Sequence, residues 1–146
     1  MARGSILEKN SGNGGYLLPV EKVTAAKTLD AVKDSGKVLV VANAGSAYEI
    51  TLPTTLEVGT QYKLIFEDSP NAAVTIAADA AIAYGKILEA EVDTSDDADG
   101  SSGATGVTNM IFGTTTDEGD YINIVCDGTK WYFDGVTAVD GAFTKS

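Results

Sequence analysis

The 146 residues include no histidine, one cysteine, one tryptophan and three prolines. Without imidazole there is no Ser-His or Cys-His nucleophile and no histidine metal ligand. A lone cysteine excludes an intramolecular disulfide, and with no histidine to activate it Cys126 reads as an inert buried thiol. Long apolar runs are missing: none approaches the ~18–20 residues of a helical membrane span. No charged-then-apolar secretory signal opens the chain, and Met1-Ala2-Arg3-Gly4-Ser5 reads as the start of a protein made in the cytosol. Positive charge is scarce, with ten Lys and Arg against 21 Asp and Glu, a net charge of −11. The imbalance lies in residues 38–146, which carry −13, whereas residues 1–37 carry +2. An acidic body repels phosphate backbones, so nucleic acid is not an expected partner, and without an apolar run of spanning length neither is a membrane.

What is present is an ordinary apolar content over a length that suggests one domain, with enough core to fold without metal or disulfide. The strongest local signal is residues 119–135. Two runs rich in β-branched and aromatic residues flank Asp127-Gly128, a pair suited to the positive φ of a tight hairpin turn. Whether the loop has two residues or four, Ile122, Ile124, Cys126, Trp131 and Phe133 share one apolar face. Tyr121, Asn123, Lys130 and Tyr132 form a mixed face opposite.

Further strands are expected at 38–41, around Tyr48, Ile50 and Leu52 up to Pro53, around Tyr62, Leu64 and Phe66, at 73–77 and at 107–112. Another is expected where Leu88, Ala90 and Val92 alternate with Glu89 and Glu91, and a short last one at 136–139. Residues 20–35 fit an amphipathic helix or a strand over 24–29. The strand reading fits better, because most of the apolar positions lack an i+4 partner. Turns are expected at 43–46 and 68–71. The resulting class is all-β: a single-domain sandwich or barrel of about 8–9 short, mainly antiparallel strands behind an irregular N-terminal arm. The arm covers 1–19 and the β domain 20–146, with a polar, acidic loop at 93–106. The arm sets Ile6, Leu7, Tyr16, Leu17 and Leu18 among Gly, Ser and Asn, and is expected to dock either on its own body or on a partner.

Candidate chemistry is sparse. Carboxylates are plentiful, but most fall in turns or alternate outward on strands. Gly12-Asn13-Gly14-Gly15 lacks the strand before and the helix after that a phosphate loop needs. In the acidic run, Ser95, Asp97, Asp99 and Gly100 align with the first half of a calcium loop, but Gly106 stands where a bidentate Glu is required. The expectation is no catalytic residue, no cofactor and no metal site.

Three pieces in order resemble small modules of tailed-bacteriophage structural proteins. They are residues 24–37, ending in Asp34-Ser35-Gly36-Lys37; residues 38–64, with Ile50-Thr51-Leu52-Pro53 and the Gly59 turn; and the hairpin with Asp127-Gly128-Thr129-Lys130-Trp131-Tyr132. The order is similar to that of phage head-decoration (cement) proteins and fibre-associated β domains over roughly residues 24–133, with a poorly matched stretch at 79–118. The resemblance implies a small β protein, often a homotrimer, that binds the major capsid protein on the outside of the head and stabilises it without catalysis. It would be made in the host cytoplasm and located on the capsid exterior. Arm residues Arg3, Ile6, Leu7, Lys9, Tyr16, Leu17 and Leu18 are the candidate capsid contacts. The alternative is a receptor- or glycan-binding module of a tail fibre or adhesin.

Overall fold

The computed structural model describes residues 18–42, 45–91, 98–100 and 105–146, and over these the protein is all-β. Twelve strands follow in order: β1 (Val20–Val23), β2 (Lys27–Thr28), β3 (Val38–Val41), β4 (Tyr48–Thr51), β5 (Gln61–Phe66), β6 (Val74–Ala77), β7 (Ala83–Glu89), β8 (Ala98–Gly100), β9 (Asn109–Phe112), β10 (Tyr121–Cys126), β11 (Trp131–Thr137) and β12 (Phe143–Lys145). They make a seven-stranded sheet, β1-β3-β5-β10-β11-β7-β8, and a five-stranded sheet, β12-β9-β6-β4-β2, around one core. No helix long and apolar enough to cross a membrane occurs among the described residues.

The expectation of mainly antiparallel pairing is corrected: five of the ten strand pairings are parallel. One of the five joins β11 to β7; the other four come from the winding of the first six strands. Odd-numbered strands lie in the seven-stranded sheet and even-numbered ones in the five-stranded sheet, so each connection crosses the core. Every second strand therefore returns in the same direction beside its predecessor, as in a short β-solenoid of three coils. A crossover is required between parallel neighbours; here a strand of the opposite sheet supplies it in place of a helix.

Turn chemistry punctuates the coils. Asp30 Oδ1 accepts the N–H groups of Val32 and Lys33, each at 2.8 Å, closing the turn between β2 and β3. Pro53 follows β4, and Gly59 at φ 83° turns the chain into β5. The β10–β11 hairpin has the four-residue loop, since Cys126 pairs with Trp131. Asp127 Oδ1 caps that loop by accepting the N–H of Thr129 and of Lys130, at 2.8 and 2.7 Å. These bonds hold the Asp127 carboxyl down at about 2, because hydrogen bonds to an ionised carboxylate favour the charged form.

Ile122, Ile124, Cys126, Trp131 and Phe133 are all buried on the inner face, as the alternation requires. Behind them, Phe66, Phe112, Phe143 and Phe133 form a chain of ring contacts with centroids 4.7, 5.3 and 6.1 Å apart. Other expectations shift. The strand proposed for 24–29 is divided, β1 ending at Val23 and β2 holding only Lys27 and Thr28. Residues 136–139 add no separate strand; β11 runs on to Thr137, and the last strand is β12. Part of the expected acidic loop is a strand, β8, paired to β7; residues 93–97 and 101–104, and the turn positions 43 and 44, lie outside the described residues. The facing of β7 is also reversed. Leu88 is 53% exposed and Glu89 only 4% exposed, because Ala83 and Ile87 set the inner face and Glu89 continues their row.

A candidate binding face on the seven-stranded sheet

The two outer faces of the sandwich differ in chemistry. On the seven-stranded sheet the register places Val40, Ile65, Tyr121, Val136 and Leu88 side by side, forming an apolar row across five strands. One neighbouring row reads Val20, Val38, Lys63, Asn123, Asp134, Lys86. Another reads Gln61, Val125, Tyr132, Tyr84. On the five-stranded sheet the corresponding rows are Thr144, Ile111, Thr75, Glu49 and Asn109, Ala77, Thr51, Thr28. One face is apolar and aromatic; the other is dominated by threonine. An antiparallel or mixed sheet with a single solvated face alternates apolar and polar along its strands, and the seven-stranded sheet departs from that rule on its outer side.

A groove of about 440 Å³ lies on this outer face, lined by Leu18, Val38, Lys63, Asn123, Val125 and Asp134 among others. Asn123 Nδ2 donates to Asp134 Oδ2 at 3.1 Å across the groove floor. The Lys63 ammonium sits 5.2 Å from the Tyr121 ring centroid, and Lys130 sits 4.6 Å from that of Tyr84. Such contacts lay the rings along the sheet beneath a cation.

Of the residues proposed from the sequence as contacts, Leu18 alone is described. It is 63% exposed and stands at the rim of the groove, two residues before Val20, which is 66% exposed. Arg3, Ile6, Leu7, Lys9, Tyr16 and Leu17 lie outside the described residues. Of the calcium alignment, Ser95 and Asp97 lie outside them too, while Asp99, Gly100 and Gly106 are described, and Asp99 pairs with Lys145. No group of three or more His, Cys, Asp or Glu positioned for a metal is found among the described residues. Sequence reasoning identified the mixed face of the hairpin but missed its continuation through Val40, Ile65 and Leu88. The available signal was the unbroken apolar run Val38-Leu39-Val40-Val41, which implies burial demand on both sides of a strand.

The open edge of the first coil is closed by charge. Glu21 points inward from β1 and accepts from Lys27 at 2.5 Å and Lys37 at 2.8 Å. Lys37 also donates to buried Asp34 at 2.6 Å. Inward-pointing charges on an edge strand oppose edge-to-edge pairing with another sheet. Lys27 and Lys37 hold the Glu21 carboxyl below its usual value. For Asp34 burial pulls upward, but the Lys37 bond, the Asp30 N–H and the nearby ammonium charges outweigh it, and the net shift is downward.

Two carboxylates shift the other way. Burial raises Glu89, whose Oε1 accepts the Gly141 N–H at 3.0 Å. Burial likewise raises Asp120, which accepts from Asp117 N–H at 2.8 Å and Ala138 N–H at 2.9 Å. Both anchor turns through backbone N–H groups. Their folded forms hold protons more tightly than the unfolded chain. The stability they contribute is therefore complete below the ordinary values of 4.5 and 3.8 and is lost as pH rises through their folded values. Glu21 and Asp34 act oppositely, stabilising above 4.5 and 3.8 and losing that contribution as pH falls through their lowered values. Maximum stability is thus expected on the acid side of neutrality, where both pairs of carboxylates contribute. Thermal melts across pH check it, and Glu89→Gln is expected to flatten the alkaline limb while leaving the acid limb in place. A melting temperature that climbs steadily from acid to neutral pH would contradict this assignment.

No protein-family model and no curated protein gives a match to this chain.

Proposed function

We propose that this protein is a non-catalytic structural component of a phage virion, one that binds the major capsid protein on the outer surface of the head and stabilises the shell. The observation that carries the reading is the contrast between the two outer faces: apolar and aromatic on the seven-stranded sheet, threonine-rich on the other. A protein that lies on a large surface with one side and meets water with the other needs that asymmetry. The resemblance of residues 24–64 and of the β10–β11 hairpin to decoration modules supplies the phage context. Leu18 at the groove rim, with exposed Val20 two residues on, joins the proposed contact arm to this face. A homotrimer fits the role because several weak contacts on one shell reinforce one another.

A second reading, a receptor- or glycan-binding module of a tail fibre or adhesin, is favoured by one feature. Tyr84 and Tyr132 lie 6.4 Å apart on the outer face with Lys130 above Tyr84, an aromatic platform of the kind that stacks on a sugar ring.

Two measurements separate them. Purified protein mixed with expanded, undecorated heads is expected to co-sediment with them at hundreds of copies per head and to raise the temperature at which they rupture. Failure to co-sediment, or quantitation of only a few copies per virion located at the tail, would remove the decoration reading in favour of the fibre module.

A further inference from the structure

Resting on that reading, we propose that the protein seats on the capsid through the outer face of its seven-stranded sheet, and that the shell beneath presents carboxylates around an apolar strip. The first argument is charge. Lys22, Lys63 and Lys86 stand on this face by register, and Lys130 reaches it over Tyr84. Three carboxylates accompany them among the described residues: Asp134, Glu67 and, in the hairpin loop beside Tyr132, Asp127. Four lysines against three carboxylates is a reversal of sign in a chain of net charge −11. Among the described residues only Lys22 of the four is in an ion pair, with Glu67 at 2.6 Å. Lys63, Lys86 and Lys130 are left to engage an acidic partner, whereas the other described lysines that form ion pairs (Lys27, Lys37 and Lys145) are committed within the fold.

The second argument is apolar area. Leu88, Val125, Tyr132 and Val20 are exposed on this face, and the row from Val40 to Leu88 is continuous across the strands. Seven strands at about 4.8 Å spacing, and about four residues at 3.3 Å each, make a face of roughly 29 by 13 Å. That is smaller than the ~800 Å² per partner of a standard stable interface, so one face alone binds weakly and several copies on a repeating shell are needed to hold. A symmetric pairing of this face with a second copy brings together two faces with the same excess of lysine, which disfavours that occupant. An acidic surface of different composition satisfies both the lysines and the strip.

The test uses the full-length protein and undecorated heads, with binding read by co-sedimentation at two salt concentrations. Lys63→Glu with Lys86→Glu, and separately Leu88→Asp with Val125→Asp, are expected to weaken binding at least about tenfold, because charge reversal opposes a complementary surface. Lys63→Arg with Lys86→Arg is expected to bind as the parent does. Thr75→Glu with Ile111→Glu, on the threonine-rich face, is expected to leave binding unchanged. All of these positions lie on outer faces, so melting temperatures are expected to stay close to the parent's. Should a charge reversal fail to fold, Lys63→Gln with Lys86→Gln replaces it, with a smaller loss and a reduced salt dependence expected. Parent binding with equal binding by the sheet-face variants would overturn the proposal and leave the decoration reading intact. No binding by the parent would remove the reading and the proposal with it. A change in the mass of the free protein in sedimentation equilibrium, confined to the sheet-face variants, would reassign the face to contacts between copies and overturn the proposal.

Discussion

Replacing Trp131 with alanine is expected to cost the fold about 3–5 kcal/mol, the range for deleting a large buried aromatic. Trp131 is fully buried at the start of β11 and is the largest side chain in the core. It lies between Cys126 of β10 and Ala83 of β7 in register, with the Tyr62 ring 6.0 Å away. It therefore ties three strands to the coil that carries β5. The neighbours are anchored and do not collapse into the void: Tyr62 is held by its hydroxyl, which donates to the Asp30 carbonyl at 3.1 Å. One term opposes the loss. The indole Nε1–H is buried with no hydrogen-bond partner among the described residues, a state that costs about 1–3 kcal/mol. Trp131→Phe keeps most of the ring volume and removes that donor, so it is expected to be much milder than Trp131→Ala. Urea unfolding of the two variants checks the pair. A cost under ~1 kcal/mol for Trp131→Ala would show that the hairpin does not face the core as described.

Gly135→Val is expected to be at least as damaging as a typical overpacked core substitution, roughly 3 kcal/mol or more. Gly135 lies mid-strand on the inner side of β11, between Ile122 of β10 and Ile87 of β7. A Cβ there would land on the Tyr121 carbonyl oxygen, 2.8 Å from Ile87 Cδ1 and 3.1 Å from Ile122 Cα. The first and last of these belong to the backbone of a paired strand, so relief requires breaking the β10–β11 ladder. In an unobstructed strand the sign would be reversed, because removing glycine lowers the entropy of the unfolded chain. Gly113 supplies the comparison: among the described residues a Cβ there meets only the Ala142 carbonyl oxygen, at 3.6 Å, and Gly113→Ala is expected to stay within about 1 kcal/mol of the parent. Equal costs at the two positions would mean that close approach at Gly135 is not what requires glycine.

Local alternation was enough to place the inner face of the hairpin and to locate β3, β4, β5 and β6 to within a residue or two. It misjudged β7, because Leu88 and Glu89 are exchanged relative to their usual preferences. Leu88 faces outward within an apolar row built from four other strands, and Glu89 faces inward because a turn 52 residues later offers it the N–H of Gly141. Neither partner is near in sequence. The candidate binding face was half legible for the same reason. Tyr121, Asn123 and Tyr132 were visible as one side of a hairpin, while Val40, Ile65 and Leu88 join them only through sheet register.

What the sequence by itself determined is therefore what short-range chemistry controls: the all-β class, the hairpin turn at Asp127, the apolar side of β10 and β11, and the exclusion of histidine-dependent chemistry. Strand direction and strand neighbours were decided by the tertiary structure. A period of two reads the same in a parallel and an antiparallel strand. The direction in which β3 meets β5 depends on whether the connection between them stays in one sheet or crosses the core. Here it crosses, because β4 has its own partners, Thr28 and Val74 among them, in the other sheet. That winding sets the parallel coils, gathers the apolar rows on one outer face, and leaves the other face to threonine.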